Sequence, residues 1–402
     1  MNLVFLTMAP IKEIESHNIY SDLMRKFRAE GHTVFIVSPR ERRTGESTSL
    51  KENNGVFFLG VHTLNIQKAN LIEKGIGQVL IESQFNRAIR SFLGKVVFDL
   101  ILYATPPVTL TNVIAYLKKK NPQARTYLLL KDIFPQNAVD IGMMHKTGIR
   151  ALLYRFFRNK EKRLYRLSDN IGCMSPANLR YVLQHNPELS PDKVEIAPNS
   201  YEQRSPIILS DKERNDIRKK YSLPLDLPIF IYGGNLGKPQ GIPFLIKCLD
   251  ANAERSDCHF LIVGNGTDYP FLNAWYQRRN PSAVSLFKWI PKEDYDMLVR
   301  GCDVGLVFLD YRFTIPNFPS RLLPYLMEMK PILAATDLSC DLGSIAMDNG
   351  FGLWCPSNSV DAFSNVVNQM IRSNLSQMGK KGYLFFLNNY TIEHTYRAIM
   401  RH

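Results

Sequence analysis

The sequence predicts an α/β chain made of two doubly wound, parallel-sheet domains in tandem. Three observations carry that prediction. Apolar runs of strand length alternate with amphipathic segments of helix length. The alternation breaks over a turn-rich, charged stretch near 197–226 and then restarts. At 402 residues, the chain is longer than one hydrophobic core usually organises.

The elements follow in order. NLVFLTM (2–8) reads as a strand, IYSDLMRKFRAEGH (19–32) as an amphipathic helix stopped at Gly31, and TVFIVSP (33–39) as a second strand, a βαβ spacing that implies parallel pairing. RERRTGESTSLKENNG (40–55) is polar and charged and reads as a loop. The longest apolar stretch, VVFDLILYATPPV (96–108), carries Asp99 and two prolines, so it reads as a core strand with its exit loop. ARTYLLLKDIFP (124–135) and NIGCMSP (170–176) continue the pattern. APNSYEQRSP (197–206) is turn-rich, and DKERNDIRKKYSLPLDLP (211–228) is a charged helix ending at prolines. Beyond it, LPIFIYGG, CHFLIVGNG, VSLFKWIP, DVGLVFLD and PILAAT read as strands, separated by helical segments. The expected domains are Rossmann-like: 1–200, 201–385, and a closing helical segment 386–402 that returns to the first.

Bulk composition narrows the class. With 45% hydrophobic and 22% charged residues and no apolar run of about 18, the chain reads as globular without a transmembrane helix. MNLVFLTMAP has no basic lead or cleavage site, so no signal peptide is expected. The six cysteines are scattered without a CxxC and read as buried thiols of a reducing cytosol. The net charge of +13 is uneven, with 28 Lys and Arg against 17 Asp and Glu in residues 1–200 and 22 against 20 in the rest. The first half therefore faces something anionic: nucleic acid, an anionic membrane or phosphorylated substrates.

Ligands of open α/β sheets bind outside the carboxyl ends of the strands. IYGGNLGKPQG (231–241) lies at such an end, before a helix expected to start near Ile242. Gly233, Gly234 and Gly237 let backbone approach a ligand, the helix start offers free N–H groups to a phosphate, and Lys238 adds a charge. A tight β–α turn would read the same way; neither GxxxxGK[ST] nor GxGxxG is present. IVGNGTDYP (262–270) is built similarly at the next strand's end. In TIPNFPSRLLPYLMEMKPIL (314–333), Ser320 reads as a helix N-cap and Arg321 as a first-turn residue, where a cation opposes the helix dipole. A bound anion would account for it, as would solvent or a salt bridge.

These stretches carry a resemblance. YGGNLGKPQGIPFLI, FLIVGNGTDYPFL, SLFKWIPKEDYDMLVRGCDVGLVFL and PSRLLPYLMEMKPILA, in this order, resemble the C-terminal domain of retaining GT-B glycosyltransferases of family 4. APNSYE (197–202) is similar to the family's Pro-Asn-Gly segment, and LLLKDIFPQNAVDIGMM (128–144) to the Asp-Ile-Phe-Pro segment of bacterial O-antigen and capsular polysaccharide transferases. The likeness runs over nearly the whole chain and is strongest over 124–336.

The resemblance implies a GT-B fold with an interdomain cleft and a nucleotide-sugar donor, a UDP-sugar, held mainly by the C-terminal domain. Gly234, Asn235, Lys238 and Gln240 would lie near the phosphates. Gly264, Asn265 and Gly266 would pass beside the nucleotide, and the backbone at Trp289 and Ile290 would border the base. Ser320, Arg321 and Leu322 would cover the diphosphate. Asp132, Ser16 and His17 would face the sugar or the acceptor. The usual pair of glutamates, with seven residues between them, would fall near Pro316 and Pro324, and Glu328 is out of register, so ribose contacts are left unassigned. The chain matches instead a subgroup with a Pro-Ser-Lys or Pro-Ser-Arg turn.

Arg321, Lys238 and Asp132 are the catalytic candidates: the cations for charge developing on the departing phosphate, the carboxyl for orienting a hydroxyl. Asp132 equally fits a cap of the Phe134–Pro135 turn, and His17 an exposed helix-start histidine. No DxD-like pair sits convincingly at a strand end, so no catalytic metal is expected. RALLYRFFRNKEKRLYR (150–166) holds seven Lys and Arg with interleaved apolar residues, which suits an anionic membrane surface or a helix packed on its sheet. The implied acceptor is a polyprenyl-diphosphate-linked saccharide, on the cytoplasmic face of the membrane. A nucleotide-sugar epimerase on a similar scaffold lacks the acid and histidine cluster it needs. A basic nucleic-acid-binding protein lacks a recognised motif, and no nucleic-acid partner is expected.

Overall fold

The computed structural model describes residues 1–66, 71–105 and 108–402. The chain divides into one compact unit of Met1–Glu202 with Thr391–His402 and a second of Gln203–Tyr390.

The first unit is an eight-stranded sheet flanked by helices. It runs β1 (Asn2–Leu6), α1 (Ser21–Ala29), β2 (Thr33–Glu41), β3 (Ser49–Asn53), β4 (Val56–Thr63), α2 (Leu71–Phe92), β5 (Leu100–Ala104), α3 (Thr111–Lys120), β6 (Arg125–Leu130), α4 (Gln136–Asp140), α5 (Ala151–Leu167), β7 (Asn170–Cys173), α6 (Pro176–His185) and β8 (Val194–Ile196). The strand order is β3-β4-β2-β1-β5-β6-β7-β8, with every pair parallel except β3–β4. Val4, Phe5, Ile101, Leu102 and Leu128 are wholly buried, as near-continuous apolar strands in a two-sided sheet must be.

Residues 40–55 correct the loop reading. Part of that stretch is β3, an edge strand with Lys51 and Glu52 exposed, hairpinned onto β4. The turn is made by Asn54 and Gly55, with φ of 50° and 73°, the left-handed pair that a two-residue hairpin requires. Charge on an edge strand guards against edge pairing and does not mark a loop. The two prolines of the expected exit loop after β5 lie outside the described residues.

The second unit runs α7 (Asp211–Lys220), β9 (Ile229–Asn235), α8 (Ile242–Ala251), β10 (His259–Asn265), α9 (Tyr269–Arg279), β11 (Val284–Phe287), α10 (Lys292–Gly301), β12 (Val304–Phe308), α11 (Leu322–Met327), β13 (Ile332–Thr336), α12 (Leu342–Asp348), β14 (Gly352–Pro356), α13 (Val360–Arg372) and α14 (Leu375–Asn389). Its sheet is ordered β11-β10-β9-β12-β13-β14, and all its pairs are parallel. The order reverses at β9, between β10 and β12, which makes the end of β9 the switch point where such sheets bind ligands.

α15 (Ile392–Met400) belongs to the first unit. Tyr396 packs edge-on against Phe27 at 5.0 Å, Glu393 pairs with Lys26 at 2.7 Å, and the Thr395 hydroxyl donates to the Pro198 carbonyl at 2.9 Å. No helix among the described residues is long and apolar enough to cross a membrane.

Candidate active site

The carboxyl ends of β9 and β10 are built side by side. Their register sets Gly234 beside Gly264 and Asn235 beside Asn265, so two glycine-bearing segments become neighbours. Gly233, Gly234 and Gly264 belong to the strands, whereas Gly237 and Gly266 lie in the turns beyond them. A Cβ on Gly233 would lie 1.8 Å from the Tyr295 hydroxyl oxygen, and one on Gly264 would lie 2.0 Å from the Gly234 carbonyl oxygen. Both positions are therefore closed to any side chain. Gly234 has φ of 125°, a conformation L side chains rarely adopt. A Cβ there would point at the Arg321 guanidinium, with Cζ, Nη1 and Nη2 each 3.9 Å away.

A cavity of about 480 Å³ opens at this place. Gly233 and Gly234 come from β9, and Val263, Gly264 and Asn265 from β10. Lys288, Trp289 and Ile290 come from the chain after β11, Lys292 and Tyr295 from α10, and Arg321, Pro324 and Tyr325 from the α11 region. Trp289 is 74% exposed while Ile290 is buried, so the indole stands out at the rim. Burial pushes the phenols of Tyr295 and Tyr325 up, Tyr325 to about 12, so both stay protonated donors. The Tyr325 hydroxyl donates to the Ile231 carbonyl at 3.1 Å and accepts from the Gly233 N–H at 3.3 Å, which fixes the strand end to α11.

Arg321 is the N-cap residue of α11 and not a first-turn residue; Ser320 is exposed, and no side chain caps this helix. The expected Ser320 cap is replaced by backbone: its carbonyl accepts from the Leu323 N–H at 3.1 Å. The guanidinium lies over the Tyr232 ring at 4.6 Å. Its Nη1 is buried and finds no hydrogen-bond partner among the described residues. A buried donor without a partner costs about 1–3 kcal/mol, more when charged, so an anion reaching it would be strongly favoured.

Other expected donor residues fall outside the lining. The Gln240 Oε1 accepts from Asn235 Nδ2 at 2.8 Å and from the Gly237 N–H at 3.3 Å, so these two side chains tie the loop together. Lys238 is exposed in a 3₁₀ turn, and Leu322 is buried within α11. Gly266 packs on Leu236, whose carbonyl oxygen a Cβ would meet at 2.3 Å. The start of α8 does not line the cavity either, so its N–H groups are not brought to this place. Sequence reasoning missed Tyr295, Tyr325, Lys288 and Lys292. The two lysines bracketing Trp289 were a readable signal; the two tyrosines left none, because only the fold brings them to Gly233.

In the first unit, Asp132 follows β6. Its Oδ2 accepts from Asn137 Nδ2 at 2.6 Å, while Oδ1 is buried without a partner among the described residues. Burial pushes the carboxyl up to about 6 and the neighbouring Lys131 ammonium down to about 7. Ser16 lines a separate cavity of about 380 Å³ with Lys12, Glu13, Asn18 and Ser21. His17 does not line it; its Nδ1 is 3.0 Å from Arg25 Nη2, in a cluster with Asp22 and Glu202. Arg25 ion-pairs both carboxylates, so a cation already occupies that cluster.

On α5, Ala151, Phe157, Leu164 and Tyr165 are buried. Ile149, Leu152, Leu153 and Phe156 are exposed, Ile149 by 84%, among exposed Arg150 and Arg155. The helix therefore packs on its sheet and also presents a second apolar face edged by cations.

A cavity at the switch point is where a doubly wound domain holds its ligand. Residues 213–384 match the family model described as glycosyl transferases group 1. The chain is 22% identical over 322 residues to a probable glycosyltransferase, WbjE, of Pseudomonas aeruginosa, covering 78% of this chain and 75% of that one. The fold is similar to that of sucrose-phosphate synthase from Thermosynechococcus elongatus, with a TM-score of 0.77 and 15% identity over 100% of this chain and 97% of that one. It is also similar to Anabaena Alr3699/HepE in complex with UDP and glucose, with a TM-score of 0.66 and 12% identity over 100% and 98%. The protein is a glycosyltransferase of the GT-B fold.

Proposed function

We propose that the protein transfers a sugar, with retention, from a UDP-sugar to a lipid-linked saccharide in the assembly of a bacterial surface polysaccharide, as a family 4 enzyme of the O-antigen and capsule type. One observation carries the donor half of this reading: the Arg321 guanidinium, beside Gly234 at the switch point, has a buried N–H without a partner. When the bond between the anomeric carbon and the diphosphate breaks, negative charge grows on the departing phosphate. A preplaced guanidinium stabilises that charge, and its planar fork can grip two phosphate oxygens. Lys288 and Lys292 at the rim add positive potential. This countercharge is supplied by side chains, and turnover is expected to persist in EDTA. The HepE complex, on a similar fold, holds UDP and glucose.

The acceptor half rests on the first unit. Asp132, with one oxygen unpartnered and a carboxyl titrating near 6, is suited to orient the attacking hydroxyl. Its other oxygen accepts from Asn137, so a local structural role in this turn stands beside that one. The apolar, cation-edged face of α5 and the excess positive charge of residues 1–200 suit the anionic inner leaflet, where a polyprenyl-linked acceptor lies. The enzyme then works as a peripheral protein on the cytoplasmic face.

A thermal-shift panel of UDP-, GDP-, ADP- and CMP-sugars tests the donor reading, since a ligand of the folded state raises Tm. Stabilisation by a UDP-sugar, lost in Arg321→Ala, is the expected result. No stabilisation by any of the four would remove the donor site from this cavity.

A further inference from the structure

The Arg321 side chain has an unusual neighbour for a half-buried cation. Among the described residues no carboxylate pairs with it; its guanidinium lies 4.6 Å from the centroid of the Tyr232 ring. Tyr232 is wholly buried near the end of β9, and its hydroxyl donates to the Asn235 carbonyl at 2.6 Å, so the ring cannot swing. A π face attracts a cation without accepting its in-plane N–H bonds. A carboxylate in the same place would neutralise the guanidinium and occupy the donors. The result is a guanidinium that is held, charged and still open at Nη1.

We propose that Tyr232 is a positioning residue for catalysis, which sets the Arg321 guanidinium over Gly234 and leaves its Nη1 free for the donor's diphosphate. The proposal rests on the donor-site reading above. Tyr232 touches neither nucleotide nor sugar and acts only through Arg321. Two features of the strand serve the same end. Gly234 keeps a side chain from crowding the guanidinium, and the Tyr232 hydroxyl bond to the Asn235 carbonyl fixes the ring relative to Gly234.

A double-mutant cycle separates this role from simple packing. UDP, GDP and ADP affinities are measured by calorimetry for wild type, Tyr232→Leu, Arg321→Ala and the double variant, with Tm recorded for each. Tyr232→Leu is expected to weaken binding of the preferred nucleotide about tenfold in the wild-type background, the scale of a desolvated cation–π contact. In the Arg321→Ala background it should change binding by less than about twofold. Tyr232→Phe keeps the ring and should stay within about threefold of wild type, despite losing the hydroxyl bond. Tyr232→Met fills the core more closely and replaces the leucine variant if that one does not fold. Equal losses in both backgrounds, or a phenylalanine variant as weak as the leucine one, would overturn the role of Tyr232. Arg321→Ala binding all three nucleotides as wild type does would overturn the donor site itself, a separate outcome with a separate variant.

Discussion

Two arginines of the second unit stand at opposite ends of β9 and are treated in opposite ways. Arg218 is wholly buried near the start of the strand, and every nitrogen has a partner. Its Nε donates to the Gly301 carbonyl at 2.9 Å, Nη1 to the carbonyls of Pro224, Leu225 and Leu227, and Nη2 to Asp303 Oδ2 at 2.7 Å. Asp303 also accepts from the Ile229 N–H at 2.7 Å, so the group pins the strand's first residue. Arg321, near the strand's last residues, rests on a tyrosine ring with Nη1 unpartnered. Removing a guanidinium from water costs several kcal/mol, and only a full set of partners recovers it. The fold provides that set where the cation is structural. At Arg321, which the proposed function assigns to a ligand, the fold withholds it.

The sharpest way to break this comparison is to remove Arg218. Arg218→Met leaves four carbonyls without this donor and takes one of its cations from Asp303, and is expected to cost about 3–5 kcal/mol in urea unfolding. A loss below about 1 kcal/mol would show that its partners are easily satisfied by water and that the contrast is weak. The second test is Arg321→Ala. Turnover should fall by about 10²–10³-fold, the scale of losing one preorganised donor to a developing oxyanion. Tm should hold or rise slightly, because a buried unpartnered N–H disappears. A fall in Tm like that of Arg218→Met, or turnover at the wild-type level, would make Arg321 another structural cation.

Much of this was legible in the sequence, for physical reasons that can be named. Parallel sheets buried on both faces leave long apolar runs, so β1, β5, β6, β9, β10 and β12 were readable. Glycine at the ends of two such runs marked the switch point before the strands were known to be neighbours. What the sequence hid depends on partners distant along the chain. Gly233 is glycine because Tyr295 fills its side-chain volume, and no local pattern says so. The family resemblance sets Gln240 near the phosphates, but its amide oxygen bonds its own loop, a pairing that no local pattern announces. Residues 40–55 misled because charge was given more weight than the Asn54–Gly55 turn, which is a hairpin signal in its own right.

The first unit offers its own withheld partner. Asp132 Oδ1 is as unpartnered as Arg321 Nη1, and burial raises the carboxyl from its ordinary range to about 6. The sign follows from proton counts. Between about pH 4 and 6 the folded protein holds this proton more tightly than the unfolded chain, so stability falls as pH rises through that window. Above it the whole cost of a buried carboxylate is present. Asp132→Asn should therefore raise Tm at pH 7.5, and the gain should shrink steadily toward pH 4. A gain independent of pH would mean that the charge on Asp132 is not what the fold resists.

The smallest expected effect belongs to Gln240, and it divides loop chemistry from ligand chemistry. If Gln240 serves the loop, Gln240→Ala loses two bonds, to Asn235 Nδ2 and the Gly237 N–H. Both lie near solvent, so water replaces much of what is lost, and stability should drop by about 0.5–1.5 kcal/mol. UDP affinity should then stay within about twofold of wild type, because the cavity wall is set by β9 and β10 and not by this turn. If Gln240 instead reaches a phosphate, affinity would fall about tenfold, and the free protein's Tm would change little. A different readout moves under each role, so calorimetry and unfolding on one variant decide between them. An affinity loss would add Gln240 to the ligand's contacts beside Arg321; a stability loss alone would leave it to the loop.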